Sequence, residues 1–164
     1  MQEIIENHET VMAFLQYFKL GLSFGEAYLN RKWKPNKSDE KAAWAMYVEM
    51  STRVITQPLP PKQGNEKTAL ESVHSLFEST RNVLKEHGRE CNEFPPIAIE
   101  ILNQHVRPFT TKWHSKDVET TFKAESKCAE FRDKLEELQG VLGEYTQALA
   151  KMAKVEDFTN LSEE

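Results

Sequence analysis

A chain of 164 residues, 39% hydrophobic and 29% charged, has apolar side chain enough for one core of ordinary size and little room for a second domain. A mean hydropathy of −0.62 excludes a membrane bundle, and a net charge of −5 supplies no general pull toward phosphate backbones. Nucleic acid is therefore not an expected partner unless a local basic patch provides for it.

The two cysteines, Cys91 and Cys128, form neither a CxxC pair nor a disulfide-rich pattern, which points to a reducing, cytoplasmic setting. The opening Met1-Gln2-Glu3-Ile4-Ile5-Glu6 is acidic where an export signal would be basic and then apolar.

A first helix is predicted from about Glu9 to Trp33. Its polar residues Gln16, Lys19, Ser23, Glu26 and Asn30 form a narrow stripe, and Val11, Phe14, Leu15, Phe18, Leu22, Phe24, Ala27, Tyr28 and Leu29 surround it. Gly21 and Gly25 would let a neighbouring backbone come close. A membrane GxxxG pairing is not expected, because Gln16, Lys19 and Glu26 interrupt the span it needs.

Lys34-Pro35-Asn36-Lys37-Ser38 ends that helix. Ser38, followed by Asp39-Glu40, reads as the N-cap of a second helix reaching about Thr56, with Ala43, Trp44, Tyr47, Val48, Met50, Val54 and Ile55 toward the core. The prolines of the 57–64 segment impose a loop. A third helix spans roughly Glu66 to His87, carries Leu70, Val73, Leu76, Phe77, Val83 and Leu84 on one face, and stops at Gly88.

Pro95-Pro96 opens a fourth helix, where a missing amide donor costs little. Ile99, Leu102, Val106, Phe109 and Trp113 follow at steps of 3, 4, 3 and 4, straight past Pro108. Either the helix kinks there or two helices meet with aligned apolar faces. The last element, from about Ser115 to Val155, has the clearest period: Cys128, Phe131, Leu135, Leu138, Leu142, Tyr145, Leu149 and Met152 alternate steps of 3 and 4. As one helix it would be on the order of 60 Å long, and its first half, flanked by Lys127, Arg132 and Lys134, reads as an exposed extension. The expected architecture is all-α: one domain over 1–155, a mostly antiparallel bundle of four to five helices with a long C-terminal helix, then a frayed acidic tail over 156–164.

Di-iron bundles need two Glu-x-x-His motifs, and this chain has one, Glu71-Ser72-Val73-His74, on the face opposite the apolar stripe. No metal, cofactor or catalytic residue is assigned. Of two basic-aromatic patches, Arg31-Lys32-Trp33-Lys34 reads as a solvated helix end, whereas Arg107, Thr111, Lys112, Trp113 and His114 are chemically denser. Arg107, Thr111 and His114 share one helical face and are the candidate site for a small anionic ligand or nucleotide; Pro108 also frees a backbone carbonyl near Gln104 that needs a donor. With no catalytic motif, the leading expectation is a non-catalytic protein–protein interaction or regulatory module, self-associating or a subunit of a larger complex. Its expected partner surface is Phe131, Leu135, Leu138, Leu142 and Tyr145. The alternative is a ligand-binding protein, enzyme included, with its pocket beside Arg107, Thr111 and His114.

Overall fold

In the computed structural model, residues 34–53, 59, 65–114 and 118–159 are described. The helix predicted over 9–33 and most of the proline loop lie outside the described residues. The rest is an all-α bundle of about five helices with a long C-terminal helix: α1 (Lys37–Ser51), α2 (Glu66–His74), α3 (Leu76–His87), α4 (Phe94–Ile101), a π-helical turn (Leu102–Val106), α5 (Arg107–Trp113), the single turn α6 (Val118–Thr121) and α7 (Glu125–Met152). Among the described residues no helix is long and apolar enough to cross a membrane.

The N-cap of α1 is Asn36, two residues before the expected Ser38. The reason is reciprocal: the Asp39 amide donates to Asn36 Oδ1 at 2.9 Å and the Asn36 amide to Asp39 Oδ2 at 2.8 Å, a capping box that Ser38 has no partner to build. Asp39 is fully buried. Its carboxylate also accepts the amides of Asn92 at 3.1 Å and of Glu93 and Phe94 at 2.9 Å each, so one side chain of α1 caps α4 as well.

The third predicted helix divides into α2 and α3 at Ser75, which keeps right-handed helical dihedrals (φ −64, ψ −15), and the Ser75 and Ser79 amides still reach the carbonyls four residues back at 2.9 and 3.1 Å. Arg53, just past α1, donates to the hydroxyls of Ser75 and Ser79 and to Glu49 at 2.6 Å, tying the junction to α1. Ala69, Leu70 and Val73 on α2, and Leu76, Thr80 and Val83 on α3, still line up inward.

The stripe predicted across Pro108 needs correction. Ile99 is 46% exposed, and the buried residues are Phe94, Ile97, Ala98 and Ile101 before the turn, then Val106, its last residue, with Phe109, Thr110 and Trp113 after it. Each quartet has helical spacing, but the step from Ile101 to Val106 is five. The π turn absorbs the extra residue, with the Arg107 amide donating to the Leu102 carbonyl. In a regular α-helix the Pro108 ring would clash with the carbonyl four residues back, and that carbonyl, of Gln104, lies within the turn. An uninterrupted α-phase picks out Ile99 because it counts one residue too few.

The last element is also corrected. α7 has 28 residues, about 42 Å, and its first half does not project: Phe131 and Leu135 are 0% and 2% exposed, and Arg132 pairs with Glu66 of α2 at 2.9 Å. α7 packs chiefly along α1. It closes on Lys154 at φ 57 with the Val155 amide returning to the Ala150 carbonyl at 3.0 Å, a left-handed closure that usually takes glycine. Beyond it, residues 156–159, expected to fray, lie against α1: the Tyr47 hydroxyl donates to Asp157 at 3.2 Å and accepts the Phe158 amide at 2.8 Å.

Candidate functional site

The five residues expected to form a site point four ways. Trp113 is 3% exposed and belongs to an aromatic cluster, its ring 5.3 Å from Phe131 edge-on and 6.1 Å from Phe122. Thr111 faces solvent. Lys112 reaches Glu130 of α7 at 2.6 Å and lies 5.0 Å over the Trp113 ring. Arg107 and His114 turn the opposite way, toward α2 and α3: the Arg107 guanidinium sits 5.1 Å over Phe77 while its Nε donates to Asn103 at 3.3 Å, and the His114 ring stacks on His74 at 4.9 Å and 21°. The proline-interrupted segment thus separates two concavities.

On the Arg107 side is a cleft of about 310 Å³ lined by Glu71, His74, Ser75, Phe77, Glu78, Arg81 and His114. Helix α2 brings Glu71 and His74 to its rim, both exposed as the sequence suggested. Among the described residues no three His, Cys, Asp or Glu side chains converge to hold a metal ion. The cleft carries both charges and two imidazoles, so it is polar and amphoteric.

On the Lys112 side is a groove of about 330 Å³ between the π turn with α5 and the middle of α7. Pro108, Phe109 and Trp113 supply one wall, and Leu138 and Val141 the other. Its charged rim is paired: Lys112 with Glu130, which Lys127 also reaches at 2.9 Å, and Lys134 with Glu137 at 3.0 Å. Lys112 and Lys127 together hold the exposed Glu130 carboxyl down to about 2. His105 lines the same groove, and desolvation lowers its affinity for a proton against the pull of Glu100 and Glu144.

That lowering has a sign. The unfolded chain takes up a proton near the ordinary histidine value of about 6.5, while the folded His105 resists it, so the unfolded state binds more protons and stability falls as pH drops through this window. Replacing His105 by glutamine is expected to flatten the acid limb of the stability–pH curve, as read by thermal melts between pH 7 and 5.

The expected partner stripe is not a surface. Phe131, Leu135, Leu138, Leu142 and Tyr145 are 0–5% exposed and sit in the core. Burial also pushes the Tyr145 phenol up. Only Leu138 also borders the groove. The groove itself went unmarked in the sequence, because it exists only where α5 and α7 lie side by side; its one local signal is a proline inside an apolar stripe. Both cysteines are free and half-buried, and Cys91 is pushed up to about 12 by burial and by the nearby Asp39 carboxylate. Compared with known protein families, with curated proteins and with solved structures, the chain matches none.

Proposed function

We propose that the protein is a non-catalytic interaction or regulatory module of the cytoplasm, and that its contact surface is the groove between the π turn with α5 and α7. One observation carries this reading: an open groove of about 330 Å³ whose walls are Pro108, Phe109, Leu138 and Val141, bordered by ion pairs already satisfied within the chain. Such a surface offers apolar contact at its centre through the exposed Pro108 and the half-buried Val141, over the buried Phe109 and Leu138, and a neutral polar rim, the composition of a protein–protein contact. Self-association is its simplest form, and a subunit role in a larger complex uses the same surface.

Sedimentation velocity tests it. The wild-type chain is expected to gain mass with concentration or to carry a co-purifying partner, and Val141→Arg, on the half-buried α7 wall, is expected to abolish either while leaving the helical signal and melting temperature unchanged. A wild-type chain that stays a monomer at high concentration with no partner rejects the reading.

A second reading rests on the stacked His74 and His114 beside Arg81: a site for a small anionic ligand or nucleotide, enzymatic activity included. A ligand that binds only the folded state raises its melting temperature. If His114→Ala leaves such a shift intact, the cleft is not its site.

A further inference from the structure

The cleft on the Arg107 side of α5 gathers four side chains that can bind a metal. Glu71, His74 and Glu78 follow at steps of 3 and 4, and because Ser75 keeps the helical path between α2 and α3 they share one face. His114 meets them from the end of α5, its amide held by the Thr110 carbonyl at 2.7 Å. All four are exposed and line the same cleft of about 310 Å³. Among the described residues none of these side chains has a hydrogen bond or an ion pair. Carboxylates and imidazoles with nothing to pair with make a donor set, and its chemistry selects the ion: imidazole nitrogen suits zinc and its first-row neighbours, whereas magnesium and calcium take oxygen.

We propose that this cleft binds a divalent transition-metal ion of the zinc type, held by the imidazoles of His74 and His114 and the carboxylate of Glu71. The ring centres of His74 and His114 are 4.9 Å apart. Two imidazoles that share one ion, each at about 2.0–2.1 Å, have their ring centres roughly 5 Å apart. The ring planes differ by 21°, so one ring must turn about its Cβ–Cγ bond to aim a nitrogen at the ion; that torsion is soft, and the turn breaks no hydrogen bond. Glu71 stands one turn before His74, on the side to which a helical side chain leans. No three of these groups converge as they lie, so the ion itself draws in the exposed glutamate.

The inference is independent of the groove. It rests on the second reading and deepens it: Glu71 and Glu78 both oppose a free anion in this cleft, and a bound cation beside Arg81 removes that opposition.

Calorimetric titration of the full chain with zinc chloride, repeated with magnesium chloride, decides it. Zinc is expected to bind with a single equivalent and to raise the melting temperature, and magnesium to do neither. His74→Ala and His114→Ala are each expected to weaken zinc at least about tenfold, while His87→Ala, outside the cleft, leaves it unchanged. The replaced side chains are exposed, so the metal-free melting temperature is expected to stay at the wild-type value. No zinc binding, binding unchanged in either cleft-histidine variant, or magnesium binding as tight as zinc each overturns the inference. Sulfate that raises the melting temperature while zinc gives no heat upholds the anionic reading and overturns the metal.

Discussion

Replacing Asp39 by alanine is expected to destabilise the protein by about 2–6 kcal/mol. The carboxylate is fully buried and accepts four backbone amides, from Asn36, Asn92, Glu93 and Phe94. Those of Glu93 and Phe94 are buried as well, and each buried donor left unpaired costs about 1–3 kcal/mol. The effect would reach past α1, because the lost acceptor is also the cap of α4 and so supports the helix that leads into the π turn. Asp39→Asn keeps one acceptor but turns an NH₂ group toward amide donors, so an intermediate loss is expected. Urea unfolding reads both; an alanine variant as stable as wild type would show that the four amides find other partners.

Phe131→Ala is expected to cost about 3–5 kcal/mol. The ring is fully buried, with Phe122, Trp113 and Phe109 at 5.0, 5.3 and 5.4 Å. Two of these contacts are edge-on, the arrangement aromatic quadrupoles favour. The residue lies in the first half of α7, where an exposed extension had been expected from the flanking charges. Had that half projected, truncation would be nearly free. Phe131→Leu, which keeps most of the volume, should recover much of the loss.

The two halves of α7 show what periodicity can and cannot tell. A 3-4 stripe from Cys128 to Met152 establishes an amphipathic helix, but the same stripe suits a core and a partner surface equally, and flanking lysines do not separate them. Lys112–Glu130 and Arg132–Glu66 tie this half to α5 and α2; both pairs are distant in sequence. Trp113 is a similar case. Beside Arg107, Lys112 and His114 in the chain it looks like part of a site, yet its helical phase sends it into the core while its neighbours go to opposite sides of α5.

Asp39 was legible only in part. An acid in a first turn signals a helix start, and the start of the second helix was placed to within two residues, but the capping of α4 depends on where α4 packs. Arg107 and His114 turn to the same side, as their spacing suggests, while Thr111 between them faces solvent; what the two would meet was not legible, because His74 and Phe77 come from other helices.

The groove owes its position to the phase slip at Leu102–Val106, which sets the direction of every side chain on α5 relative to α4. The most direct test compares two neighbouring isoleucines by chemical denaturation. With the π turn in place, Ile101→Ala, at a site 2% exposed, should cost about 2–5 kcal/mol, and Ile99→Ala, at a site 46% exposed, should stay within about 0.5 kcal/mol of wild type. If instead Ile99 carried the large loss and Ile101 the small one, the helix would run through Pro108 in a single α-phase, and the groove proposed as the contact surface would not exist in this form.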